Sequence, residues 1–268
     1  MNRTQANATP QTNVTPAFAG MRSRIALVDA LRGIALLAMA HFHFVFDLEM
    51  LGYVEPGTAA SAPWKPYARS IATTFLFLVG VSLVLAHAQR PNPLSALQDR
   101  RFWWRMLQVG GAACVITVAT YIAIPQAFIF FGILHHIAFA SLAGLLFVTL
   151  PWPLLAFASG ATLLLPRFVA LDGLSGLHGW WTGLASTTPL SNDFVPVFPW
   201  FAAVLFGMAL GKLAAQMGWI AQAAAWPMTN GPARFLRWLG RNSLAFYLIH
   251  QPVLIGLIYG YAWATGRV

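Results

Sequence analysis

The sequence predicts an all-α fold: a polytopic transmembrane helical bundle of about seven spans, with six and eight as the neighbouring counts. Three observations predict it. Of 268 residues, 58% are hydrophobic and 9% charged, against roughly 25% charged in an ordinary soluble domain. Mean hydropathy is +0.65. Apolar runs of about 20 residues, the length that crosses a bilayer as a helix, recur along the whole chain.

Taken in order, residues 1–23 are rich in Asn, Thr and Pro and contain no apolar stretch of the kind a cleavable signal peptide needs. They are expected to form a disordered cytoplasmic tail, and the Asn-x-Thr triplets at Asn2, Asn7 and Asn13 follow from its biased composition. Residues 24–268 are expected to form a single transmembrane domain. Its spans are placed near 25–47, 68–88, 104–123, 127–149, 151–166, 196–216 and 238–262. The fifth is short enough to be re-entrant. Tight connections at "IPQA" and "PWP" make the third, fourth and fifth spans sequential antiparallel neighbours. Two connections are longer. Residues 48–67 are rich in Gly, Ala and Pro, while 167–195 carry His178 and the pair Trp180 and Trp181, which suits a membrane interface.

The net charge of +9 comes from sixteen basic residues spread between spans. That pattern is a topology signal, with Lys and Arg held on the cytoplasmic side, and it points away from nucleic acid. With the N-terminus inside, eleven basic residues fall inside and four outside, with Arg32 left within the first span. The long connections and the C-terminus then face out, and the lipid bilayer is the first partner. Cys114 is the single cysteine, so an intrachain disulfide is impossible. No His/Cys/Asp spacing resembles a zinc site, the acids are too few for a metal cage, and no phosphate-binding glycine loop is present. No metal is expected.

The first span, "LVDALRGIALLAMAHFHFVFDLEMLG", holds Asp29, Arg32, His41, His43 and Asp47. A helix turns about 100° per residue, so Arg32 and His43 differ by about 20° around the axis, and Asp29 and Asp47 each lie about 60° from Arg32. These four make one stripe, whereas His41 faces the opposite way. The stripe runs about 27 Å, which suits the wall of a passage across the membrane. Local alternatives exist: Asp29 and Arg32 pair at i,i+3, Asp47 and Glu49 mark the end of the span, and His43 packs as a neutral side chain. A charged group at span centre costs roughly 2.5–3.5 kcal/mol, and intramembrane ionisable residues usually face a pathway. His43 is therefore the leading candidate for chemistry. In the last span, Ser243, Tyr247 and His250 share a face at i, i+4 and i+7, with Arg241 at the inner end and Pro252 just after His250. They suit either hydrogen bonding to a substrate or an interhelical cluster. Of His135 and His136, about 100° apart, one at most points into a given groove.

Five segments, "RIALVDALRGIALLAMAHFHFVFDL", "IATTFLFLVGVSL", "FFGILHHIAFA", "FPWFAAVLFGMALGKL" and "LGRNSLAFYLIHQPVL", taken in order, carry a resemblance. Together they resemble the heparan-alpha-glucosaminide N-acetyltransferase catalytic-domain family, in its bacterial DUF1624-type members, over Arg24 to Tyr259. The opening Leu-x-x-Leu-Arg-Gly-Ile-Ala, with a histidine eleven residues after the arginine, is also similar to the wider acyltransferase-3-like group of transmembrane acyltransferases. There a histidine at that spacing is held important for acyl transfer, a role that falls on His43. One departure stands out. The lysosomal member relies on a histidine near a tryptophan just before the second span, and here "EPGTAASAPWKPYARS" has Trp64 but no histidine.

The resemblance implies a membrane-bound acyltransferase. It would move an acyl group, most simply acetyl, from cytoplasmic acyl-CoA to an amine or hydroxyl of a sugar or glycan at the outer face. Acetyl-CoA is then the donor, with Arg101, Arg105 and Arg241 on its phosphates. His43 is the base or acyl carrier, and Asp29 and Arg32 organise the inner half of the site. Ser243, Tyr247, His250, His136 and Asp47 supply hydrogen bonds. A bacterial inner membrane and a homodimer fit the same resemblance. Two other classes stay open: a transporter or flippase working along the stripe, and a non-catalytic assembly protein whose polar residues only join spans.

Overall fold

The computed structural model describes residues 25–87, 90 and 92–266, so the expected tail lies outside the described residues. Nine α-helices and no strand occur among the described residues: α1 Ala26–Met50, α2 Trp64–His87, α3 Arg100–Ala123, α4 Ile133–Phe147, α5 Trp152–Leu164, α6 Val197–Gln216, α7 Trp219–Ala225, α8 Gly231–Arg241 and α9 Ser243–Ala264. Five of them, α1, α2, α3, α6 and α9, are long and apolar enough to cross a membrane. In lipid every backbone polar group needs an internal partner, and a helix supplies it within one segment. The protein is a polytopic, all-α membrane protein.

Two helices fall short of the spans expected from hydropathy. α4 has 15 residues and α5 has 13, or about 22 and 20 Å at 1.5 Å per residue, against a hydrocarbon core of about 30 Å. For α4 the reason is local to the α3–α4 connection. Ile129 is held to α3 through both backbone groups: its N–H donates to Thr120 Oγ1 at 3.0 Å, and its carbonyl accepts from Thr117 Oγ1 at 2.6 Å. That keeps residues 128–132 out of the helix, and α4 starts only after Gly132. The loop before α6 pairs with this strap, with Asn192 N–H on the Ala127 carbonyl and Val195 N–H on the Phe131 carbonyl.

The last expected span also divides. Asn230 caps α8 by accepting from Ala233 N–H at 2.9 Å, and α8 ends at Arg241. Asn242 breaks the helix at φ −101° and ψ 27°, and α9 begins at Ser243. Arg241 therefore belongs to a separate amphipathic helix and not to the span itself.

Helix directions follow from side-chain pairings. Tyr67, early in α2, donates to the Ala38 carbonyl of α1, whereas Ser82, late in α2, receives Arg32. α2 thus runs antiparallel to α1. α8 is also antiparallel to α1 and α9 returns parallel to it, because Arg241 meets Asp29 while His250 and Gln251 lie against His43 and Asp47. Two faces result, named here the Asp29 side and the Asp47 side.

The main core lies where α2, α4, α5 and α6 meet, around the fully buried Leu76, Leu155, Val204, Leu205 and Met208. Two helix pairs approach backbone to backbone through glycine. A Cβ on Gly80 would strike the Val204 carbonyl, and one on Gly207 the Phe77 carbonyl, across the α2–α6 contact. A Cβ on Gly33 would strike the Leu236 carbonyl, and one on Gly240 the Asp29 carbonyl, across the α1–α8 contact. Small residues at such contacts let membrane helices gain dispersion energy where water cannot drive association.

Gly80→Ala is expected to cost about 1–3 kcal/mol through overpacking, read as a lowered thermal midpoint of the protein in detergent. Gly110→Ala on α3, where a Cβ meets nothing within 4 Å, should leave the midpoint unchanged or raise it slightly.

Candidate functional site

The polar edge of α1 faces α8 and α9, and it divides into two groups. At the Asp29 side, Asp29 is only 2% exposed. One carboxylate oxygen accepts from Arg32 Nη1 at 3.2 Å and the other from Arg241 Nε at 3.3 Å. Arg32 also donates to Ser82 of α2. One buried acid thereby joins α1, α2 and α8.

His43 lies fourteen residues further on, about 21 Å along the helix. Because α1 runs on to Met50, His43 sits in its last third and not at its centre. Its ring centroid is 5.0 Å from that of His250. Asp47, one turn later and fully buried, accepts from Gln251 Nε2 of α9. His250 Nδ1 lies 2.7 Å from the Tyr247 carbonyl, so Nδ1 carries the proton and Nε2 is a bare acceptor. Phe246 stacks on the same ring at 5.9 Å. Four buried polar atoms here have no hydrogen-bond partner: His43 Nδ1, His250 Nε2, Asp47 Oδ2 and Gln251 Oε1. Buried polar groups are almost always paired, so this concentration of unpaired atoms sets the group apart from the satisfied one around Asp29.

The other sequence candidates are more scattered. Tyr247, whose ring lies 5.8 Å from that of His250, reaches the loop before α6, where Asp193 binds both its hydroxyl and the Ile133 N–H, the latter at 2.9 Å. Tyr247 also packs against all three apolar clusters. His136 is fully buried among Phe131, Phe139 and Phe201, with Nδ1 on the Val195 carbonyl at 3.0 Å. It stands apart from the His43 group, and its neighbour His135 bonds Thr117 on α3. Ser243 is half-buried at the start of α9. Arg101 and Arg105 are exposed at the start of α3 on the Asp29 side. There the Asp99 carboxyl is held below its usual range by the Arg101 backbone N–H and by Arg90, whose guanidinium lies 2.9 Å away. His41, exposed on the opposite face of α1, rests against Trp64 at 5.5 Å and Tyr67 at 5.8 Å, with Nδ1 3.3 Å from the Tyr67 hydroxyl. Among the described residues no group of three or more His, Cys, Asp and Glu side chains could hold a metal ion.

The family described as heparan-alpha-glucosaminide N-acetyltransferase, catalytic, matches residues 24–252. The chain belongs to this family. Membership implies a membrane acetyltransferase. The matched region takes in α1 through the His43–His250 contact and Gln251. The chain matches no curated protein and no solved structure.

Two members of the site are absent from the sequence expectations. Gln251 gives no signal beyond being polar within an apolar helix. Asp193 gives a faint one, as a lone acid four residues before α6. Burial pushes its carboxyl up to about 6 from an ordinary 3.8, against the opposing effect of its bonds to Ile133 and Tyr247. A carboxyl raised by folding contributes stability that is fully present below about pH 3.8 and is lost as pH rises through about 6. Asp193→Asn keeps an acceptor for Ile133 N–H and cannot ionise. Its stability should stay flatter than that of the natural protein between pH 4 and 7, measured by thermal unfolding across that range.

Proposed function

We propose that the protein transfers an acetyl group from acetyl-CoA to an amine or hydroxyl, with the His43–His250 contact as the reaction centre. The observation that carries this reading is the set of four unpartnered polar atoms buried between α1 and α9. Two of them, Asp47 Oδ2 and Gln251 Oε1, can only accept hydrogen bonds at neutral pH. They complement a ligand that brings O–H or N–H groups, as a sugar acceptor does.

In this mechanism His43 is the general base, using the ring nitrogen other than the buried Nδ1. It takes the proton as the acceptor nitrogen or oxygen attacks the thioester carbonyl carbon. The new C–N or C–O bond forms, the C–S bond breaks, and His43 returns the proton to the CoA thiolate. The CoA phosphates are met by Arg101, Arg105 and Arg241 on the Asp29 side, taken as cytoplasmic. The pantetheine arm then extends along α1 towards His43. Asp29 and Arg32 lie too far from His43 to touch reacting atoms, so their role is to position α8 and α2. Tyr247 and Ser243 line the base of the same path. The acceptor arrives from the Asp47 side, which fits a glycan outside a bacterial inner membrane.

A second reading gives the base to His41. The resemblance expects a histidine beside a tryptophan before the second span, and His41 is the histidine that rests on Trp64.

Purified protein with labelled acetyl-CoA and an amino-sugar acceptor tests both. Loss of the base costs about 10²- to 10⁴-fold in rate. His43→Ala should show that loss and His41→Ala should stay within a few-fold of the natural protein. The opposite pattern hands the role to His41, and unchanged turnover in both variants removes histidine base catalysis from α1 altogether.

A further inference from the structure

His43 and His250 carry complementary vacancies. His250 Nε2 is a buried lone pair, since Nδ1 is committed as donor to the Tyr247 carbonyl. Gln251 Oε1 and Asp47 Oδ2 are acceptors too. His43 Nδ1 is the one atom of the four that can be a donor. Two imidazoles joined by an N–H···N bond of about 2.9 Å have ring centroids about 5 Å apart. His43 and His250 stand at 5.0 Å, with their planes tilted by 59°. The two nitrogens are unbonded in the structure, so closing the bond requires the His43 ring to turn. Phe246, stacked at 9° on His250, and the Tyr247 carbonyl hold the acceptor ring still.

We infer that His250 sets the tautomer of His43. His43 Nδ1–H donates to His250 Nε2, which leaves His43 Nε2 as the unprotonated nitrogen that meets the ligand. The Tyr247 carbonyl, His250 and His43 form a chain of two N–H donors with one fixed polarity. When His43 Nε2 takes a proton, the imidazolium keeps its Nδ1–H on His250, whose lone pair stabilises the new charge. When Nε2 gives the proton up, the original tautomer is restored. His250 is thus a positioning residue, acting through His43. Groups facing this pair from the packed helices are Asp47 on α1 and Tyr247 and Gln251 on α9. Asp47 Oδ2 is the rival acceptor for the same proton, and its carboxylate is already turned to Gln251 through Oδ1.

The tautomer assignment stands independently of the transferase reading; only its catalytic consequence rests on it. The full chain, labelled with ¹⁵N-histidine in nanodiscs, tests the assignment, with His43→Gln identifying the His43 signals. His43 is expected to show a protonated Nδ1 and a bare Nε2. His250→Leu should move it to the other tautomer or a mixture, while Asp47→Asn leaves it in place. A bare Nδ1 in the natural protein, or a tautomer that survives His250→Leu, overturns the inference. So does a tautomer that responds to Asp47→Asn instead. Should His250→Leu fail to yield monodisperse protein, His250→Gln keeps an acceptor and should retain the natural tautomer. For turnover, His250→Leu should lower kcat at least about tenfold with KM for acetyl-CoA unchanged, and His250→Gln should recover part of it. Absence of turnover in the natural protein would count against the transferase reading and leave the tautomer result intact.

Discussion

Polar side chains on a membrane helix need partners within the protein, and the α8–α9 hairpin supplies them to α1. Asp29 is buried at one end and Asp47 at the other, and neither has water to solvate it. Each is met from the hairpin, by Arg241 from the end of α8 and by Gln251 from α9. Without that hairpin α1 would present two carboxylates and a histidine to lipid, at a cost of several kcal/mol. The close α1–α8 approach through Gly33 and Gly240 follows from this need. Arg241 has to come near enough to reach a buried acid, and a Cβ on either glycine would push the helices apart.

The two ends of α1 solve the same problem differently. At the Asp29 side both carboxylate oxygens are engaged and Arg32 ties in α2, so the group is satisfied and holds helices together. At the Asp47 side the groups are buried but left open. A protein that needed only stability would fill those vacancies or replace them with apolar side chains. Satisfied polarity at one end and unsatisfied polarity at the other separate the anchoring part of the stripe from the part suited to a ligand.

Outside this contact the bundle is held by apolar and small-residue packing. The α2–α6 pair meets through Gly80 and Gly207, and the aromatic cluster around His136 closes the Asp47 side of α4 and α6. Asp193 reaches from the connecting loop to both Ile133 and Tyr247, tying the start of α4 to α9. Its bond to Tyr247 falls on the helix that carries His250, three residues before it.

The membrane class, the helical fold and the polar stripe were legible in the sequence, because hydropathy and a 3.6-residue period are properties of one segment at a time. The face shared by Asp29, Arg32, His43 and Asp47 came from helical geometry alone; Asp29, His43 and Asp47 meet α8 or α9, while the Arg32 guanidinium reaches α2. What one segment does not contain is its partner. That Arg241 sits on a separate helix depended on Asn242 breaking the chain, and that α4 starts late depended on Thr117 and Thr120 capturing Ile129. The meeting of His43 with His250, of Asp47 with Gln251 and of His41 with Trp64 joins residues from 23 to 207 positions apart. Only the packed bundle decides such pairings, since they are set by how helices cross and not by any local preference of the residues involved.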